Sequence, residues 1–147
     1  MNYKEIIDLI NDTCIDHFFI NQVGYGNISD LNTPDDEEPP LYPYAFLNPV
    51  SISQGDKTGT FSGNLIVMTQ TYDKEVDELT QQSNCIKYLT DIISKINMNL
   101  TNPLVEFNTP FTITPFKEKF TDDVVGATAN ISITYPSLFD DCNSPYQ

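Results

Sequence analysis

Arginine is missing from this chain of 147 residues, tryptophan is missing too, and His17 is the sole imidazole. Seven lysines supply all the fixed positive charge against 21 acids, for a net charge of −14. Arginine is the side chain that grips phosphate and carboxylate in a bidentate fork. Its absence at this charge excludes a nucleic-acid grip, and DNA should be repelled. Nucleophilic catalysis needs a base beside the nucleophile, and His17 reads as part of the apolar stripe of a helix instead. Cys14, Cys85 and Cys142 are odd in number and far apart, without a CxxC pair, so neither a zinc site nor a disulfide framework is indicated. A reduced protein assembled in the cytosol is the simple expectation. No stretch reaches the roughly 18 to 20 apolar residues of a membrane span, and the first residues lack the basic and apolar regions of a signal peptide.

What is present fits an ordinary globular composition, with Phe and Tyr carrying the aromatic load. A chain of this length buries roughly 70% of its unfolded surface, enough for one core without disulfides. The expected organisation is a single domain over 1–147, with an exposed arm at 24–40 and a flexible tail at 139–147. Such acidity serves solubility, or it faces a basic partner, or it faces DNA that must slide past without sticking.

From Tyr3 to about Phe18, Ile6, Ile7, Ile10, Cys14, His17 and Phe18 recur at intervals of three and four. That spacing predicts an amphipathic helix. Glu5, Asp8, Asp12 and Asp16 form an acidic line on an adjoining face, and their repulsion leaves the helix dependent on tertiary packing. The arm from Gly24 to Pro40 holds glycines, a Thr-Pro step, the acid run Asp35, Asp36, Glu37, Glu38 and a double proline. The run lacks the alternating ligands and turn glycine of a calcium loop, so it reads as a solvated arm or as one that orders against a neighbouring subunit.

Tyr42 to Ile52 is proline-started and β-prone, hence an expected edge strand. Thr60 to Tyr72 places Phe61, Leu65, Val67 and Thr69 on one face and Ile66 and Met68 on the other, the pattern of a central strand. Asp73 is a candidate N-cap for a second helix from about Lys74. Leu79, Ile86, Leu89, Ile93 and Ile96 form its stripe, widened by Val76, Cys85 and Ile92, and the helix ends near Asn97 to Pro103. Leu104 to Phe116 is a β-prone run broken by Pro110 and Pro115. Val124 to Tyr135 alternates Ala127, Ala129, Ile131 and Ile133 against polar neighbours. Together the two predict a closing hairpin with a charged corner at Lys117 to Asp123. The expected fold class is α+β, in the order α-β-β-α-β-β, with an antiparallel sheet of about four strands and both helices on one face.

No catalytic, metal or phosphate-loop constellation is found. The paired carboxylates Asp122 with Asp123 and Asp140 with Asp141 lie in turn sequences, where Asp is a good turn former.

Certain residues carry a family likeness. They are Tyr42, Pro43, Tyr44, Ala45 and Phe46 at the first strand, and Thr114, Pro115, Phe116, Lys119, Phe120, Asp122, Asp123, Val124, Val125 and Gly126 in the hairpin. Pro136 ahead of Asp140, Asp141 and Cys142 completes the set. In these and in its layout the chain resembles the small neck proteins of tailed bacteriophages, the tail terminator and head-tail joining group. It departs where such proteins often carry arginine, at Lys119, and tryptophan, at Ala127. The resemblance implies a virion protein of the neck or tail, assembled in the host cytoplasm, that closes into a homo-oligomeric ring, usually sixfold in long-tailed phages. It implies docking to portal, neck or tail-tube proteins and passage of genomic DNA through a lumen, with no cofactor, no enzymatic step and no membrane partner. The expected docking residues are Asp35, Asp36, Glu37 and Glu38 in the arm and Lys117, Lys119, Asp122 and Asp123 at the hairpin corner. A different reading of the same acidity is a monomeric binding module that mimics DNA charge to occupy a basic host protein.

Overall fold

The computed structural model describes residues 1–27, 41–71, 76–119 and 123–137. Helix α1 spans Tyr3–Asp16, and the side chain of Asn2 caps it by accepting the Glu5 N–H at 2.9 Å. Ile6, Ile7, Ile10, Thr13 and Cys14 are its buried stripe. The helix stops short of Phe18: His17 has extended backbone, and Phe18, expected on the stripe, is 89% exposed. Acids at Asp12 and Asp16, with no base in the last turn, oppose the helix dipole there and offer nothing to prolong the helix.

Four short residues, Gln22–Tyr25, form strand β1. They pair in parallel with the start of β2, Tyr44–Gln54. Two expectations are corrected here. The sheet is mixed and not wholly antiparallel, and Gly24 and Tyr25, expected in the arm, belong to β1, which Gly26 follows with a φ of 144°. Nor is β2 an edge strand throughout, because β1 covers Tyr44 to Leu47. Pro49 falls just beyond that cover, where a missing donor is tolerated, and the register shifts between Pro49 and Ser51.

Strand β3, Thr58–Gln70, lies between β2 and β6, Asp123–Pro136, and is central as its two-faced apolarity predicts. The β-prone run after the second helix forms two strands, β4 at Glu106–Phe107 and β5 at Ile113–Lys119. Both run antiparallel to β6 and share its far side, so the path β1-β2-β3-β6-β4, with β5 also on β6, makes a six-stranded sheet. The count of about four strands was too low because β1 and β4 are too short for a period-two signal. The expected hairpin is present as β5 and β6, in register from Ile113 with Ala129 to Lys119 with Asp123.

Helix α2, Val76–Asn99, buries Cys85, Leu89, Ile92, Ile93 and Ile96. Leu79, expected in the stripe, is 71% exposed. At roughly 100° of rotation per residue it lies on the margin of the face centred on Leu89 and Ile96. The proposed cap Asp73 lies outside the described residues.

Both helices pack on one face of the sheet, against Ala45, Leu47, Phe61, Leu65, Val67, Ala127, Ala129, Ile131 and Ile133. The fold class is therefore α+β with the helices in one layer, as the order of elements predicts. On the other face a smaller apolar cluster of Phe46, Ile66, Met68 and Val124, flanked by Tyr42, Tyr44 and Phe116, occupies one end. Gly126 lies on this face of β6, under the Phe116 ring.

Candidate docking surfaces

The rest of that outer face is polar, with Glu106 of β4 at its edge and no charge on the rows of β2, β3 and β6, which align like with like. Asn48, Asn64 and Asn130 share a row, Ser51, Ser62 and Ser132 the next, and Ser53, Thr60 and Thr134 a third. Each row steps across neighbouring strands at about 4.8 Å. The Thr60 and Thr134 hydroxyls approach within 3.3 Å. Asn108, just past β4, donates from Nδ2 to Ser132 Oγ at 2.9 Å and to Thr134 Oγ1 at 3.0 Å, tying β4 to the array. The signal is visible as Asn, Ser and Thr at alternate positions of β3 and β6, and in β2 across its register shift. Only the register shows that they coincide.

The hairpin corner is partly described. Lys119 ends β5 opposite Asp123, the first residue of β6. Lys117 is exposed, and its ammonium is 2.9 Å from Glu78 Oε1 and 3.1 Å from Oε2, linking β5 to α2. An ion pair this exposed adds up to about 1 kcal/mol, so its role is to hold Lys117 against the helix. Asp122, and Asp35, Asp36, Glu37 and Glu38 in the arm, lie outside the described residues.

A second surface was missed. Phe18 and Phe19 follow the end of α1, 89% and 54% exposed, with their rings edge to face at 5.1 Å. Phe19 stacks on Tyr88 of α2 at 5.4 Å. The neighbouring His17 accepts the Phe19 N–H at Nδ1, 3.2 Å away, which leaves Nε2 to donate to Asp91 at 3.4 Å. Sequence periodicity had absorbed Phe18 into the helix, and with it the evidence for an exposed aromatic pair.

Cys14 and Cys85 are buried, and burial pushes both thiols up to about 12, so each stays protonated at neutral pH. The acids of α1 are exposed, and among the described residues only Asp8 is held close by a base, Lys4 at 2.6 Å. Among the described residues, no group of His, Cys, Asp and Glu is arranged to hold a metal, and no helix is long and apolar enough to cross a membrane. No family model matches the chain, and no curated protein matches it significantly.

Proposed function

We propose that this chain is a virion structural protein, the subunit of a ring that terminates the tail or joins it to the head. It would bind further copies of itself and neighbouring neck, portal or tail-tube proteins, while DNA passes through the ring. The observation that carries this reading is the layering. Both helices lie on one side, leaving the other sheet face, polar and with Glu106 at its border, and the open sheet edges for contacts. The likeness of the closing hairpin to phage neck proteins points the same way, as does the scarcity of cations that would hold DNA. In this role the segment 27–40 straps onto a neighbour, and the end of the hairpin, from Lys117 to Asp123, docks a partner. Mass photometry of the purified protein, and negative-stain imaging with tail tubes, should show rings or capped tube ends. A protein that remains monomeric and never associates with a virion component would defeat the proposal.

The exposed acidic row of α1 favours one other reading, a monomeric module that captures a basic host protein. It predicts binding that weakens steeply with added salt, and salt-indifferent binding would count against it.

A further inference from the structure

Given the ring-forming reading above, we infer that the sheet itself continues from copy to copy: the open edge of β2 in one subunit pairs with the β4 edge of the next. Among the described residues, β1 covers only Tyr44 to Leu47 of β2, so Asn48 to Gln54 present an edge without a strand partner. Natural edges are guarded by charge, proline, bulges or cover; here Pro49 and the register shift guard the start of the edge, while Ser51 to Gln54 carry neither proline nor charge. The opposite edge of the sheet is β4 and β5 on β6.

Five features make these two edges fit a second copy of this chain. Direction comes first. β2 runs parallel to β6 and β4 runs against it, so identically oriented subunits side by side bring the two edges together antiparallel. Height comes next. Ser53, Thr60, Thr134 and Glu106 lie on one row, and Ile52, Phe61, Ile133 and Phe107 on the adjacent one. The two edges therefore meet level, as a ring that closes without becoming a helix requires. Facing is also preserved, since Ile52 and Phe107 both lie on the helix side of the sheet while Ser53 and Glu106 lie on the polar side. Apolar side chains stand out near both edges, Val50 at 61% and Ile52 at 44% exposed on β2, and Leu104 at 70% ahead of β4. Charge agrees as well. The β2 edge opposes no acid to Glu106, and Lys57, beside Asp56 in the β2–β3 turn, stands at the same end of the sheet.

Paired cysteines test this directly. Ser53→Cys with Glu106→Cys, in a Cys142→Ser background, places both thiols on exposed positions. Within one chain they are three strand spacings apart, about 14 Å, beyond the roughly 7 Å a disulfide spans. Oxidation should therefore yield a ladder of covalent multimers on non-reducing gels, ending at the ring size seen by mass photometry. Neither single variant should give more than a trace. As a second measurement, Ile52→Lys should raise the concentration for half-assembly at least roughly tenfold while leaving the thermal midpoint within about 2 °C of wild type. Rings without a ladder, and unaffected by Ile52→Lys, would overturn the edge contact while leaving the ring reading intact. Dimers from Ser53→Cys alone would overturn it in favour of a two-fold β2–β2 contact, and a protein that is monomeric in every form would overturn both readings.

Discussion

Replacing Gly126 by alanine should destabilise the fold through a single methyl group. Gly126 faces Met68 across the β3–β6 ladder and Phe116 across the hairpin. A methyl built there would stand 2.8 Å from the Met68 Cα and 3.0 Å from the Phe116 Cζ, and closer still to the Val67 carbonyl oxygen. The Phe116 ring can turn aside. Val67 and Met68 cannot, because the obstacle is the backbone of a central strand paired from Thr58 to Gln70. Overpacking costs about 1–3 kcal/mol where side chains can adjust, and a backbone obstacle places this case at or above the upper end. Unfolding entropy near 2.1 cal/mol/K per residue gives roughly 0.3 kcal/mol/K for a chain of this size, so about 3 kcal/mol lowers the melting temperature by roughly 10 °C. Thermal melts followed by circular dichroism would read this. Gly55→Ala is the control, since its methyl meets nothing nearer than the Thr58 carbonyl at 3.4 Å. It should melt no more than about 2 °C below wild type. A Gly126→Ala protein that melts with that control would refute the reasoning.

Asn108→Ala removes the amide that bonds both Ser132 and Thr134, and should cost about 1–2 kcal/mol by chemical denaturation. The thiols of Cys14 and Cys85 should resist a disulfide reagent at pH 8 until the protein is unfolded. Their folded pKa, about 12, lies above the ordinary 9.0, so their share of stability is intact below pH 9 and fades as pH rises toward 12. Over that window, wild type should lose stability more steeply than a Cys14→Ala/Cys85→Ala protein. Replacing Asp122 and Asp123 by lysine should impair assembly, measured by ring yield, more than it lowers the melting temperature. The opposite ranking would remove the hairpin corner from the docking surface.

Long-range geometry separates what the residues announced from what they hid. The stripe of α2 and the two-faced apolarity of β3 were legible because each is a local period repeated several times. Leu65 and Val67 against Ile66 and Met68 already imply a strand covered on both sides. Strand β1 was not legible, since four residues hold no period and their partner, β2, begins at Tyr44. The end of α1 was missed for a related reason. Periodicity counts Phe18 as the next apolar position, whereas acids at the helix C-terminus weigh against another turn, and the extended backbone of His17 ends the helix. The polar array needed both alternation, which is local, and the register of three strands, which is not.

The same register changes what the acidity means. Read as a sum over the sequence, a charge of −14 suggests a negative lumen that lets a duplex slide. The acids of the two helices do not lie where that picture needs them. Glu5, Asp8, Asp12 and Asp16 are on α1 and Glu78 and Asp91 on α2, in the helix layer, while the rows from Asn48 to Thr134 are neutral. In a ring closed through the sheet edges every neutral face turns to the same side, and the bulkier helix layer takes the longer outer circumference. The inner wall of such a ring would be hydroxyl and amide beside the apolar cluster of Phe46, Ile66, Met68 and Val124, bordered by Glu106. A duplex passing such a wall releases no counterions, because it meets no cation to replace them, and so gains no grip. In the proposed ring, sliding would follow from the want of lysine and arginine on one face, and the acids of the helix layer would act outward, on solubility and on the choice of partner.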